Sequence, residues 1–178
     1  MTQKSSDTGI RLAQTADADT IWNILKGEIE VMRQAGRDQW QKGYPNPEVV
    51  AADIAVHRGM VMVCDDTIVG YCALITTGDP CYDNIWDGQW LTTSNSSNCR
   101  YSVVHRIGID ASLTGQGLAQ QFLKLLLEES RQRGCESMRI DTNEDNVQML
   151  HILPKMGFTR CGMVRVKDGP RHAFEQLL

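Results

Sequence analysis

The chain has 178 residues, 42% hydrophobic and 22% charged, the composition of one globular domain long enough to build its own core. Eighteen Lys and Arg stand against 22 Asp and Glu, a formal net charge of −4; with no basic stripe beside it, this balance argues against a nucleic-acid partner. No apolar run approaches the roughly 20 residues of a membrane span, so no membrane partner is expected either.

Residues 1–8 read as a disordered tail, and 9–178 as a single domain. Met1 to Thr8 is polar and lacks the apolar stretch of a signal peptide. Ile10 to Gln14 reads as a first strand. Asp17 or Asp19 is placed to cap the helix that follows. Ile21, Ile24, Leu25, Ile29 and Met32 give that helix one apolar face, and Gly36 stops it. Asn46-Pro47-Glu48 starts a second helix: a capping side chain, a proline where no amide is needed, and an acid at the positive end. Met60 to Cys64 and Thr67 to Ile75 form a hairpin across Asp65-Asp66.

Residues 77–99 lack periodicity and are rich in Gly, Asp, Asn and Ser, so they form a long loop containing Trp86 and Trp90. Long ordered loops in compact domains are often functional. Tyr101 to Ile109 is a strand, Gln116 to Arg133 a helix with a wide apolar face, and Met138 to Asp141 a strand. Asn146 to Met156 is the last helix, ended by Gly157. Phe158 to Val166 and His172 to Leu178 close the chain. The order predicts an α+β fold in which a strand–helix–strand unit joins 101–109 to 138–141 in a locally parallel or splayed pairing.

Six cysteines are present: Cys64, Cys72, Cys81, Cys99, Cys135 and Cys161. No two are separated by two residues, so no zinc-type pair exists. They read as reduced thiols of a cytoplasmic protein, several of them in the core. A metal set of Cys81, Cys99 and His105 has no spacing support, and no metal is expected.

The stretch Arg106 to Ala119 carries the chemistry. A strand runs into a turn with Gly115 and Gly117, and the turn opens a helix. The first amides of a helix lack internal partners and lie at the positive end of its dipole. Thr114, Gly115, Gln116, Gly117, Leu118 and Ala119 thus offer successive amides to a pyrophosphate. A plain glycine turn before a packed helix gives the same pattern. The Walker pattern fails because Leu118 follows Gly117, and the dinucleotide pattern fails because Gln120 stands where glycine is needed.

Thr114-Gly115-Gln116-Gly117-Leu118-Ala119 and, further on, Asn146 through Leu153-Pro154-Lys155-Met156-Gly157-Phe158 together resemble the two motifs of the GNAT superfamily of acyl-CoA-dependent N-acetyltransferases. The resemblance covers residues 10–178. It implies a GNAT fold, with a central mixed, mostly antiparallel sheet of six to seven strands flanked by about four helices in three layers. It further implies acetyl-CoA as co-substrate, a small-molecule or peptide amine as acceptor, and a homodimer. The pantetheine arm would lie along Ile107, Gly108 and Ile109 like an added strand. A backbone amide there would polarise the acetyl oxygen. Asn146 would bond the cofactor or cap the last helix.

Two departures from the family pattern stand out. Thr114 replaces its usual Arg or Gln, which a cradle of backbone amides tolerates. Leu153 replaces the tyrosine that protonates the departing thiolate, so a transferase here needs another acid, a water or none. The catalytic base is assigned to His105, since imidazole is the side chain that changes charge near neutral pH, or to Asp141 or Glu144, the last two acting through water. Arg106 pairs with Asp141 or another acid. Trp40, Tyr44, Trp86 and Trp90 are candidate walls of the acceptor pocket, through cation–π attraction. Asp83 and Asp87 add negative charge there, and the acidic surplus as a whole is available to the acceptor side. A CoA-binding module without transfer, and a phosphate-binding domain unrelated to CoA, are the alternatives.

Overall fold

A computed structural model describes residues 7–178. The strands are β1 (Thr8–Leu12), β2 (Gly59–Cys64), β3 (Thr67–Ile75), β4 (Tyr101–Ile109), β5 (Ser137–Thr142), β6 (Thr159–Val166) and β7 (Gly169–Leu177). The helices are α1 (Ala18–Gln34), α2 (Pro47–Ala55), α3 (Leu118–Gln132) and α4 (Val147–Lys155). Seven strands form one sheet in the order β1-β2-β3-β4-β5-β7-β6. Every neighbouring pair is antiparallel except β4 and β5. The tail expected over residues 1–8 lies outside the described residues up to position 6, and Thr8 already opens β1.

Local signals explain most boundaries. Asn46 accepts the Val49 amide at 3.0 Å and Pro47 begins α2, the expected cap. Asp65 and Asp66 both have positive φ, 45° and 64°, as the two-residue turn of a right-twisted hairpin requires. Asp17 corrects an expectation. It precedes α1 without capping it; its carboxylate holds Arg11 at 2.6 Å and accepts the Gln14 amide at 2.8 Å, closing the short turn at Thr15–Asp17.

The sheet is covered on both faces. α3 and α4 bring Phe122, Leu123, Leu126, Ile152 and Leu153 onto Met60, Met62, Leu74, Val104, Met138 and Ile140. On the other face, α1 and α2 pack Ile21, Leu25, Met32, Val50 and Ile54 over Val61 and Tyr71. The loop 77–99 covers the rest of that face, with Tyr82 and Trp90 against Tyr101, Val103 and Val164. The result is a three-layer arrangement.

A charged clamp holds the long loop. Arg139 on β5 and Glu175 on β7 are fully buried, with Arg139 Nε 3.0 Å from Glu175 Oε1. The guanidinium lies between the rings of Trp90 and Tyr101, 4.3 and 3.9 Å from their centroids. Its Nη2 donates to Ser94 O and Thr92 Oγ1, each at 3.0 Å. Glu175 accepts the amides of Leu91 and Thr92 and the hydroxyls of Thr92 and Ser137. Two buried charges are tolerable only when paired and hydrogen-bonded in this way. The loop also covers the edge strand β6, because Trp86 exchanges backbone hydrogen bonds with Met163 at 3.0 and 2.8 Å. That approach requires Gly88, where a Cβ would meet the Cys161 carbonyl at 2.0 Å.

Removing one partner of this clamp leaves a naked charge in the core. Glu175→Ala is expected to cost about 3–5 kcal/mol of stability, read from urea unfolding. A loss below about 1 kcal/mol would show that the loop is held by something else.

Candidate active site

The site originates where β4 leaves β5. Their parallel register runs from Tyr101↔Ser137 to Val104↔Ile140 and stops. At the next turn of the strand, Arg106 adopts a left-handed φ of 55°. The β3–β4 register slips at the same level, between Tyr71↔Gly108 and Ala73↔His105. This is a β-bulge, which bends its strand and ends regular pairing. Beyond it β4 and β5 diverge and leave an opening in the sheet.

A cavity of about 490 Å³ occupies that opening and extends toward Met32 at the end of α1 and the segment that follows it. Arg106 and Ile107 line it from β4, Asp141 and Thr142 from β5, and Asn146 and Met149 from the start of α4. Trp40 and Tyr44 line it from the segment after α1, and Asp79 and Cys81 from the long loop.

His105 is fixed in this cavity between two carboxylates. Its Nε2 lies 2.7 Å from Asp79 Oδ2, and its Nδ1 lies 3.8 Å from Asp141 Oδ1. Burial pushes the Asp79 carboxyl up, but the hydrogen bond and charge of His105 and the Cys81 amide outweigh it, so it rests below the usual range. An ionised carboxylate only accepts, which makes Nε2 the donor; in the neutral form of the ring Nδ1 then carries the lone pair. Asp141 is oriented by the Tyr82 hydroxyl, which donates to Oδ1 at 2.6 Å. Burial first, and then the Asp141 charge, raise the Tyr82 phenol well above its ordinary value, so it remains a donor. Arg171 lies 3.8 Å from Asp141 Oδ2.

Arg106 faces the other way. It forms two hydrogen bonds to Asp53 of α2, at 2.9 and 2.8 Å. Tyr71 donates to the same carboxylate at 2.8 Å. The acid that Arg106 was expected to find is therefore Asp53, not Asp141. Tyr44 accepts a hydrogen bond from Arg106 Nη1 and packs its ring 5.8 Å from the guanidinium.

The turn before α3 has the form of an anion cradle. Gly115 and Gly117 have φ of 84° and 76°, values that a side chain at Cβ strains. Thr114 N–H reaches Ala111 O at 3.4 Å, and the next amide with a backbone acceptor outside the regular elements is Gln121, to Gly117 O. The amides between, including Leu118 and Ala119, are those that helix geometry leaves open. Asn146 accepts the Met149 amide at 3.2 Å, so its oxygen caps α4 while it also lines the cavity.

Several sequence-selected residues sit elsewhere. Trp90 donates to Tyr82 O at 2.8 Å and stacks on the Arg139 clamp, and Trp86 packs against β6; neither lines the cavity. Glu144 belongs to a separate cleft with Lys42 and His172. Asp83 is used inside the loop, accepting the Ser96 amide at 2.8 Å. Gly108 does not open room on the cavity side; a Cβ there would meet Glu28, Leu25 and Ile24 of α1. The Ile109 amide donates to Glu28 Oε1 at 3.3 Å. Leu153 is fully buried in the α3–α4 core.

Nor does the acidic surplus collect here. Asp79, Asp141 and Asp168 line the cavity, and so do Arg58, Arg106, Lys167 and Arg171. Sequence reasoning missed Asp53, Asp79, Tyr82 and Thr142. Asp53 had a signal, a carboxylate beside Ile54 on the apolar side of α2. Asp79 had one too, since Asp-Pro favours a turn, and its side chain indeed accepts the Cys81 amide at 2.9 Å.

The family model for acetyltransferases of the GNAT family matches residues 29–158. The chain belongs to the GNAT acetyltransferase family. A GNAT-family acetyltransferase from Streptococcus agalactiae 2603 is 36% identical, with a TM-score of 0.88 over 96% of this chain and 95% of that one. One from Listeria monocytogenes 4b F2365 shares the fold at 15% identity, with a TM-score of 0.76 over 100% and 99%. The aminoglycoside acetyltransferase AAC(6')-Ib, solved with coenzyme A, shares it at 17% identity, with a TM-score of 0.70 over 96% and 95%. No curated protein sequence matches the chain. The mixed seven-stranded sheet with four helices is thus the GNAT fold. Among the described residues no helix is long and apolar enough to cross a membrane. No group of three or more His, Cys, Asp or Glu among them is arranged to hold a metal.

Glu28 gives this GNAT site a pH signature. Burial raises its carboxyl, and the Ile109 amide and Arg37 only partly offset that. A carboxyl raised in the folded state contributes stability at low pH that is lost as pH rises through its folded value. Glu28→Gln keeps the shape and removes the charge. It should therefore leave stability unchanged near pH 4 and increase it near pH 7, by urea unfolding at both. A variant less stable at pH 7 would show that the charge itself is needed.

Proposed function

We propose that the protein transfers the acetyl group of acetyl-CoA to an amine, with His105 as the general base. The observation that carries this reading is the placement of His105. The residue lines the cavity that opens between β4 and β5, with Nε2 held by Asp79 and Nδ1 3.8 Å from Asp141.

The residues divide the work as follows. The amides from Gly115 to Ala119, at the positive end of α3, hold the pyrophosphate of the co-substrate. The β4 edge at Ile107, freed by the bulge at Arg106, takes the pantetheine arm as an added strand and directs a backbone amide at the acetyl oxygen. Two features of this structure fit the co-substrate: positive-φ glycines at 115 and 117, and a β4 edge that is unpaired on its β5 side beyond Val104. The acceptor enters past Trp40 and Tyr44. Its ammonium is attracted by Asp141 and passes a proton to Nδ1 of His105, whose Nε2–H stays on Asp79. The amine nitrogen then bonds to the acetyl carbon to give a tetrahedral intermediate; as this collapses the carbon–sulfur bond breaks, the electron pair leaves with sulfur, and the nitrogen gives its second proton to water, leaving the neutral amide.

The thiolate still needs a proton. Leu153 lies in the core and offers none. Thr142 lines the cavity, but its hydroxyl is buried and is not presented to it. The thiolate takes its proton from water, to which the site is open. Leu153 is also the observation behind the second reading, a module that binds acetyl-CoA without transferring from it.

Two variants separate the readings. His105→Ala should lower kcat/KM by about 10²–10⁴-fold and leave acetyl-CoA affinity within a factor of a few, measured as CoA thiol release and by calorimetry. Gly117→Glu places a carboxylate in the cradle and should weaken acetyl-CoA binding by at least about tenfold. Tight binding with no turnover on any amine favours the silent module. Unchanged affinity in Gly117→Glu would overturn both.

A further inference from the structure

The cavity carries a second pole of opposite charge. Asp53 is 4% exposed, and its two oxygens are taken by Arg106, with Tyr71 donating to one of them. Arg58 approaches the same carboxylate, Nε to Oδ1, at 3.6 Å. Among the described residues, Asp53 is the one carboxylate within 4.0 Å of either guanidinium. One anion therefore faces two cations, and one positive charge is left over.

Arg58 presents that charge to a ligand. Its side chain is 39% exposed and lines the cavity, whereas Arg106 is 8% exposed. Its separation from Asp53 exceeds hydrogen-bond range, so its donors are not committed. A guanidinium with open donors matches a carboxylate, which it binds through two parallel hydrogen bonds.

The two poles start from adjacent residues. His105 and Arg106 are neighbours on β4, about 3.8 Å apart at Cα. The bulge sends His105 to Asp79 and Asp141, and sends Arg106 to Asp53 on α2. Arg58, at the end of the α2–β2 connection, shares Asp53 with Arg106. A molecule with its amine at His105 thus has a cationic wall within reach of a short chain. The balance of charge around the cavity disfavours a polycation, which would meet Arg58, Lys167 and Arg171.

We propose that the acceptor is a small amine that also carries a carboxylate, held by its amine at His105 and Asp141 and by its carboxylate at Arg58. This rests on the transfer reading above and names its substrate class.

The test uses matched acceptors: a free amino acid, its carboxamide, and the amine that lacks the carboxyl group. The amide has the more easily deprotonated amine, so a preference for the acid cannot come from amine reactivity. The acid should be preferred over both by about ten- to a hundredfold in kcat/KM, the range of a hydrogen bond to a charged group. Arg58→Gln should erase that preference by lowering kcat/KM for the acid towards that for the amine without a carboxyl group, and Arg58→Lys should retain part of it. Equal rates for acid and amide, or a preference that survives Arg58→Gln, overturn the proposal and leave the transfer reading standing. Calorimetry on the CoA-loaded protein covers the case of no turnover. Arg58-dependent binding of the acid over the amide would keep the carboxylate site and remove the transfer reading. No binding of either would remove the carboxylate site.

Discussion

The departure of β4 from β5 at Arg106 is the constraint on which the site depends. A parallel pair inside an otherwise antiparallel sheet could continue to pair. It does not, because a bulge puts Arg106 into left-handed backbone and shifts the β3–β4 register at the same level. A left-handed arginine is unfavourable by itself. The buried, two-bonded pair with Asp53 holds it there, and Tyr71 completes the carboxylate's partners. One ion pair on the α2 side thereby sets an unpaired strand edge on the cavity side.

A second buried pair supports the opposite wall. Arg139 and Glu175 link β5 and β7 to the loop over residues 90–94. Asp79 and Tyr82 belong to the same loop and orient His105 and Asp141. The loop therefore does more than cover the sheet. Because a charged network with no solvent around it has few alternative arrangements, it fixes two hydrogen-bonding partners of the site at once. Stability and site geometry are coupled through this loop.

Charge behaves locally, not globally. The chain has a formal net charge of −4, but the cavity is lined by three carboxylates and four Lys or Arg side chains. Counter-charges at contact distance decide the field inside a cleft, while the surplus elsewhere is screened over about 10 Å. Acids such as Asp83 are consumed by loop structure.

The sequence alone determined the element order, the α2 cap at Asn46, the Asp65-Asp66 hairpin turn, the glycine turn before α3 and the family resemblance. These depend on neighbours in the chain: helical spacing, turn residues and capping side chains act over a few positions. It also pointed to His105, whose strand is a clear β-type run. Only the tertiary structure decided the partners. Asp53 meets Arg106 across 53 residues, Asp79 meets His105 across 26, and Tyr82 meets Asp141 across 59. It moved Trp86 and Trp90 behind the cavity, turned Gly108 toward α1 and buried Leu153 in the core. A local pattern flags at most an unusual placement, such as Asp53 on the apolar side of α2, and does not name the partner; the packing of the layers makes that choice.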